Sequence, residues 1–571
     1  MKWESSRTMI WDSGDVAVSE YLQIIHQAQG LSENLRNEGA DQKKDDELLH
    51  RVQIVIRIAM VKLEEEFIHI LVCRNLPFEP ECMSFHSSDV GTMDGISVCS
   101  FELDQNLVDE SPSRYGSSRS SGELVVDLVH QYAIHDLNRI VSAMFTTHFD
   151  QECCDAYIKV RKDALAECLF MLEVDNLSND AGQVALHTEN SSLVIKIRKW
   201  NQAMKNFTGV YLASEKLLCD RIFGEFKSVS STCFGKIFEV PMLQLLKCGE
   251  TIIDIEGREP EKVFLKLDMY EVLLDLLPDI DSMFLEEAGS SVRFVFREVL
   301  KRFGDSVSGT VLEFEKAVGS NISTKPVSGG CIHPLSQYVM NFIEVLARDY
   351  SDTLNTLLEV SHRGDLPEEK ENANVHPLAY HLKLVVSNLK SNLGVKSSSY
   401  TDDGLRYIFL MNNNFFMVSK IKDSDLRQFF GDDWIRQHRE YQGYAMDYER
   451  ATWSPILNLL REEGMCTPGS HSISKAILKE RLKDFNLSLE KVYKSQTAWL
   501  IPDPRLCEEL RISVAINVIQ AYRTFLGRHE GTLSATSTAK YMKYNADGLQ
   551  TFISDLFGGS PKLLPNSVTW T

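Results

Sequence analysis

Lys475, Lys479 and Lys483 stand four residues apart, with Arg481 between the last two. Ammonium groups at this spacing line one side of a helix, and the chemistry open to them is electrostatic capture of phosphate rather than bond making. Farther along, Lys540 and Lys543 bracket Tyr541, and Tyr544 follows. Lysines beside tyrosines suit a phosphate-rich membrane interface, where aromatic rings straddle the boundary. The plainer alternative is ordinary solvated lysines. Near an anionic leaflet each lysine contributes roughly 1 kcal/mol, so four give about 4 kcal/mol, or binding near the millimolar range. Glu480, Asp484, Glu490 and Asp503 dilute the patch, so stable recruitment needs a second contact acting through avidity.

The elements that must position these residues are helices. Leu478, Leu482, Phe485 and Leu489 form an apolar line roughly 100° from the lysines, able to seat the helix on a neighbour with its charges outward. Asn545 is placed to cap a helix whose inner face is Leu549, Phe552, Ile553 and Leu556, ended by Gly558 and Gly559. From Lys475 to the end there are 13 Lys and Arg against 9 Asp and Glu, whereas residues 1–474 carry a net −25. An acidic body therefore ends in a mildly basic tip, residues 465–571.

Catalytic patterns are absent. There is no Walker loop, dinucleotide fingerprint, H-E-x-x-H or G-x-S-x-G elbow. Gly304-Asp-Ser306-Val-Ser-Gly309 has the wrong glycine spacing for a nucleophile turn, and no strand precedes it. His130 and His135 lie five apart, on different helical faces, and are poor metal ligands. Glu64-Glu65-Glu66 reads as a solvated helix edge. No cofactor is expected.

The bulk composition agrees. A 571-residue chain with 43% hydrophobic and 25% charged residues is ordinary for a globular protein. No run approaches the roughly 18–20 apolar residues of a membrane span, and the first residues lead to no signal-peptide core. The 12 cysteines include no C-x-x-C pair and read as reduced core residues. A net charge of −21 argues against nucleic acid as a partner. These features point to a cytoplasmic protein, peripheral at membranes.

Taken in order, residues 1–83 hold two helices expected to pair, with Val16, Tyr21, Ile24, Ile25 and Ala28 on the first and Leu48, Val52, Val55, Ile58, Met60 and Leu63 on the second. Residues 84–122 contain 11 serines and few large apolar residues, the composition of a disordered linker and phosphorylation segment. Helical bundles follow over 123–303, including Ser192 to Phe207, Tyr211 to Phe226, a helix from Phe264 closing at Pro278, and Ile280 to Phe303. A glycine- and serine-rich loop is expected over 304–330, then more bundles over 331–464, interrupted by an acidic loop at 359–374. Met465 to Ser470, with Pro468-Gly469, marks entry to the tip. Ser454-Pro455 and Asp503-Pro504 each place a capping side chain before proline at the first helical position, with stops at Gly464 and near Gly527. Period-two alternation is nearly absent, so the expected fold class is all-α, an elongated rod of stacked antiparallel helical bundles without a regular repeat.

A series of motifs resembles the seventy-kilodalton subunit of the exocyst: Cys331-Ile-His333-Pro334-Leu-Ser-Gln-Tyr338-Val-Met-Asn341, Phe409-Leu-Met-Asn-Asn-Asn414, Gly431-Asp-Asp-Trp434, Lys479-Glu-Arg481-Leu-Lys483-Asp-Phe485-Asn486, Ala521-Tyr-Arg-Thr-Phe525-Leu and Lys540-Tyr-Met-Lys543-Tyr544. Ile197-Arg-Lys-Trp200, Ser214-Glu-Lys-Leu-Leu-Cys219-Asp220 and Leu267-Asp-Met-Tyr270 resemble its plant-type branch, and Lys62-Leu63-Glu64-Glu65-Glu66-Phe67 resembles the family's amino-terminal helices. The resemblance covers nearly the whole chain. It implies a non-catalytic subunit of the complex that tethers secretory vesicles to the plasma membrane in exocytosis. Its implied partners are the other exocyst subunits and phosphatidylinositol bisphosphate, with Rho-type GTPases, immune proteins and pathogen effectors as further ones. The lipid-binding positions it implies are Lys479, Arg481, Lys483, Lys540 and Lys543, to which the helical stripe adds Lys475. The alternative is a helical adaptor that has lost strong lipid binding and scaffolds plant defence or regulatory proteins.

Overall fold

A computed structural model of the protein describes residues 9–37, 42–76, 125–171, 190–255, 260–284, 289–321, 325–362, 376–461, 475–529 and 542–562. Among these residues every long element is a helix, and extended backbone pairs only in two isolated bridges, Asn75 with Val129 and Leu500 with Gly558. The chain divides into two compact units, residues 1–307 and 308–571. The expected linker at 84–122, most of the acidic loop at 359–374 and the Met465 to Ser470 turn lie outside the described residues.

The first unit starts with α1 (Asp15–Asn37) packed on α2 (Gln42–Cys73). Their facing sides hold Val18, Tyr21 and Ile25 against Val52, Ile56, Ala59 and Leu63, and the Tyr21 hydroxyl donates to the Ala59 carbonyl at 3.3 Å. Val16, Ile24, Leu48 and Ile58, assigned by spacing to this core, point outward instead. Two apolar faces compete on each helix, and spacing alone does not say which is covered. Glu66 is also not a solvated edge. Its carboxylate is fully buried and accepts from the backbone N–H groups of Ile10 at 2.6 Å and Trp11 at 3.3 Å, tying the segment before α1 to α2.

Then come α3 (Gln131–Thr146), α4 (Asp150–Met171), α5 (Asn190–Asn206), α6 (Ala213–Phe223), α7 (Lys227–Ile255) and α8 (Val263–Met283). A buried π-helical turn, Phe207–Leu212, joins α5 to α6 without a break, where sequence spacing suggests two helices. A buried ion pair lies in this unit: the Arg161 guanidinium is paired with Glu215 at 2.7 Å, with both side chains 1% exposed. Asn75 accepts from the same guanidinium at 2.9 Å, and the Tyr157 hydroxyl donates to Glu215 at 2.9 Å.

Two prolines sit where sequence rules would stop or start a helix. Pro278 lies inside α8, and Pro455 lies inside α15 (Tyr441–Asn458). Proline removes one ladder hydrogen bond and kinks a helix. Here buried side chains on both sides carry the helix through, Leu276 and Ile280 around the first and Trp453 and Ile456 around the second. The expected loop at 304–330 is likewise mostly helix. α9 (Ser290–Ser320) continues because Phe303, Val307, Val311, Phe314 and Val318 extend its apolar line past Gly304 and Gly309. Each interior glycine costs about 1 kcal/mol, which five buried side chains outweigh.

The second unit contains the remainder of α9, then α10 (Pro334–Asp349), α11 (Ser351–His362), α12 (Pro377–Ser397), α13 (Asp403–Lys422), α14 (Arg427–Gln437), α15, α16 (Lys475–Gln496), α17 (Pro504–His529) and α18 (Ala546–Ser554). α11 reaches His362, so the first residues assigned to the acidic loop are helical. Asparagines in the Phe409–Asn414 motif clamp this unit from within α13. Asn412 donates to the carbonyls of Gly330 and Leu500 at 2.7 and 2.9 Å. Asn413 accepts from the His333 backbone N–H and the Ser336 hydroxyl at 2.8 and 2.7 Å. Asn414 accepts from the Tyr441 N–H at 2.9 Å and donates to Glu440 at 3.1 Å.

A candidate basic surface on the carboxy-terminal helices

The tip is assembled around one hydrophobic core. Leu478, Leu482, Phe485 and Leu489 of α16 are fully buried, and they share that core with Leu510, Val514, Val518 and Phe525 of α17, with Leu549, Phe552 and Ile553 of α18, and with Ile408, Tyr448 and Trp453 before them. Phe485 stacks on Tyr522 with ring centroids 5.3 Å apart, and Tyr493 meets Phe552 at 4.8 Å. Two of the three predicted caps are formed: Asp503 accepts from the Leu506 N–H at 2.8 Å, and Asn545 accepts from the Gly548 N–H at 2.7 Å, whereas Ser454 lies inside α15. α17 runs two residues beyond Gly527. After α18 the backbone turns through Phe557, which has φ +63°, and Gly559, which has φ +76°. The Phe557 N–H donates back to the Gln496 carbonyl at 2.9 Å, closing the turn after α18 onto the end of α16.

This packing fixes which basic groups face outward. Lys475 and Lys483 are exposed, whereas Lys479 is half-buried. Arg481 is half-buried as well, and its guanidinium donates to the Arg461 carbonyl at 2.6 Å. Lys543 is held by Glu490, with the ammonium 2.5 Å from the carboxylate and 5.7 Å from the Tyr544 ring centroid. The hydrogen bond to Glu490 is the main cause that raises the Lys543 pKa. Lys540 lies outside the described residues, as does Tyr541. Tyr544 cannot straddle an interface: it is buried, with its ring edge-on to Phe552 and its carbonyl accepting from Tyr522 at 2.9 Å.

Two lysines missed by motif reasoning are better placed. Lys491 and Lys494 are exposed and continue the outward line of α16 through Lys483 and Leu487, the last 49% exposed. The spacing 483, 487, 491, 494 is that of one helical face. That signal was present in the sequence, but the acidic residues interleaved along α16 obscured which lysines share a face. Glu480 and Asp484 remain exposed at its amino-terminal half.

Elsewhere the described residues hold no group of His, Cys, Asp and Glu that could bind a metal ion, and no helix long and apolar enough to cross a membrane. Gly304–Gly309 is helix interior, where Ser306 accepts from the Lys266 ammonium at 3.1 Å. The described cysteines are free thiols, most of them buried. Burial pushes Cys248 up to about 11 and Cys168 up to about 12.

The helices, with interior polar groups clamped by hydrogen bonds, place the chain in the class of all-α proteins. The family is shown by comparison with known proteins. Residues 198–555 match the carboxy-terminal profile of the Exo70 exocyst complex subunit, and residues 1–73 match the amino-terminal profile of the exocyst complex component Exo70. The chain is 34% identical to Exocyst complex component EXO70E2 of Arabidopsis thaliana over 99% of its length and 87% of that protein's. Against EXO70B1 of the same plant it is 30% identical over 90% of this chain and 80% of that one. The fold matches solved S. cerevisiae Exo70 with a TM-score of 0.59 at 15% identity, covering 96% of both chains. The chain belongs to the Exo70 family of exocyst complex subunits.

Proposed function

We propose that this chain is a non-catalytic exocyst subunit that helps tether secretory vesicles to the plasma membrane, and that it contacts phosphoinositide headgroups through α16. The observation that carries the lipid contact is the outward row of Lys483, Lys491 and Lys494 on a helix whose opposite face is anchored in the core. The row offers at most about 3 kcal/mol from electrostatics, so the contact is reversible and depends on the rest of the complex for avidity. The amino-terminal helices suit partner binding by helix packing. Ile54, Ile58 and Val61 line the side of α2 opposite its covered face, and Val16, 76% exposed, with Ile24 and Leu31 does so on α1.

Co-sedimentation with phosphatidylcholine vesicles, with and without phosphatidylinositol bisphosphate, tests the reading. Binding should require the phosphoinositide and fall at least about tenfold in the Lys483→Ala, Lys491→Ala, Lys494→Ala triple variant. Binding indifferent to all three changes removes the lipid contact and leaves a helical adaptor that works through protein partners alone.

A further inference from the structure

One cation at the edge of the α16 row is withheld from it. Glu490 lies in that helix beside Lys491 and one turn from Lys494, and its carboxylate is bonded to the Lys543 ammonium at 2.5 Å. The pair is partly sheltered: the side chain of Glu490 is 22% exposed and that of Lys543 35%. The backbone around Lys543 is pinned. Tyr522 donates to the next residue's carbonyl at 2.9 Å, and Asn545 caps α18 two residues on. The Lys543 amine also lies over the Tyr544 ring, whose face favours a cation. An ammonium with a carboxylate on one side, an aromatic face on another and a fixed Cα has little freedom to reach a phosphate outside.

Resting on the phosphoinositide reading above, we propose that Glu490 is a built-in counter-ion that holds Lys543 back from anionic lipid and so sets how tightly the tip binds. Glu490 weakens the surface twice, once by its own charge and once by occupying its neighbour's. Asp484 and Glu480, both exposed, contribute the first effect. The basic tip is thereby kept weak on its own, a property suited to a subunit recruited together with others.

The two effects separate in a double-mutant cycle read by co-sedimentation with phosphatidylinositol bisphosphate vesicles. Glu490→Gln should tighten binding about 25-fold, the sum of one repelling charge removed and one further lysine reaching the leaflet. Lys543→Ala alone should stay within about twofold of the parent chain, because that lysine is already engaged. In the Lys543→Ala background, Glu490→Gln should gain only about fivefold, the effect of the carboxylate's own charge alone. Equal gains in both backgrounds, no gain from Glu490→Gln, or a Lys543→Ala loss as large as that of Lys483→Ala each overturn the proposal. The last readout needs no change at Glu490, so it decides the matter even if that variant folds poorly. Should the triple lysine variant lose binding while Glu490→Gln changes nothing, the counter-ion role fails and the lipid contact stands. A triple variant that binds normally removes the lipid contact itself.

Discussion

Single buried side chains account for much of what this chain needs to fold. Glu215 neutralises Arg161, and burial alone would lower that guanidinium's pKa, yet the carboxylate beside it raises the pKa instead. Removing one partner of such a pair leaves an uncompensated charge, so Glu215→Ala should cost about 3–5 kcal/mol in chemical denaturation. A Glu215→Leu, Arg161→Met double variant should lose less than that single change. His333 offers a pH readout. Its imidazole accepts from the Leu335 N–H at 3.0 Å at the start of α10, and burial, then Lys396, lower its pKa. The unfolded histidine titrates near about 6.5, so below that pH the unfolded chain binds a proton that the folded chain resists. The contribution is present above about pH 6.5 and is lost as pH falls toward the folded pKa. His333→Asn keeps a capping acceptor, and its stability should decline less between neutral and mildly acidic pH than that of the parent chain in urea titrations.

Helices here touch closely where small residues allow it. Gly249 of α7 packs on Trp200 of α5, whose indole N–H donates to the Leu245 carbonyl at 2.9 Å. A Cβ at position 249 would stand 2.6 Å from the indole ring. Trp200 is fully buried and cannot retreat, so Gly249→Ala should overpack this contact and destabilise the chain by about 1–3 kcal/mol, lowering the thermal midpoint. The same logic explains why α8, α9 and α15 run through proline or glycine. Local breakers act within one turn, whereas the buried stripe on either side extends over several turns. Neither Pro278 nor Pro455 announces this, because the local signal is the same whether or not a neighbouring helix waits to cover the flanking side chains.

For the whole chain, charge limits the proposed membrane contact. With a net −21 overall and +4 over the last 97 residues, attraction to an anionic leaflet is confined to a small area and opposed by the rest. Vesicle binding should therefore weaken steeply as salt rises from about 0.1 to 0.5 M, as the screening length shortens from about 10 Å to less than half of that; binding unaffected by salt would point to apolar insertion instead. By itself the sequence determined that the chain is helical, which residues of α16 and α18 are buried, and where Asp503 and Asn545 cap. Those properties follow from spacing and local hydrogen bonding, which need no knowledge of neighbours. It also determined that the tip is basic. Only the tertiary structure decided that Lys543 is tied to Glu490, that Arg481 is spent on a backbone carbonyl, that Tyr544 faces the core, and that Lys491 and Lys494 stand beside Lys483. The reason is physical: a side chain's charge is written in the sequence, but its availability depends on what the fold places within hydrogen-bonding distance of it.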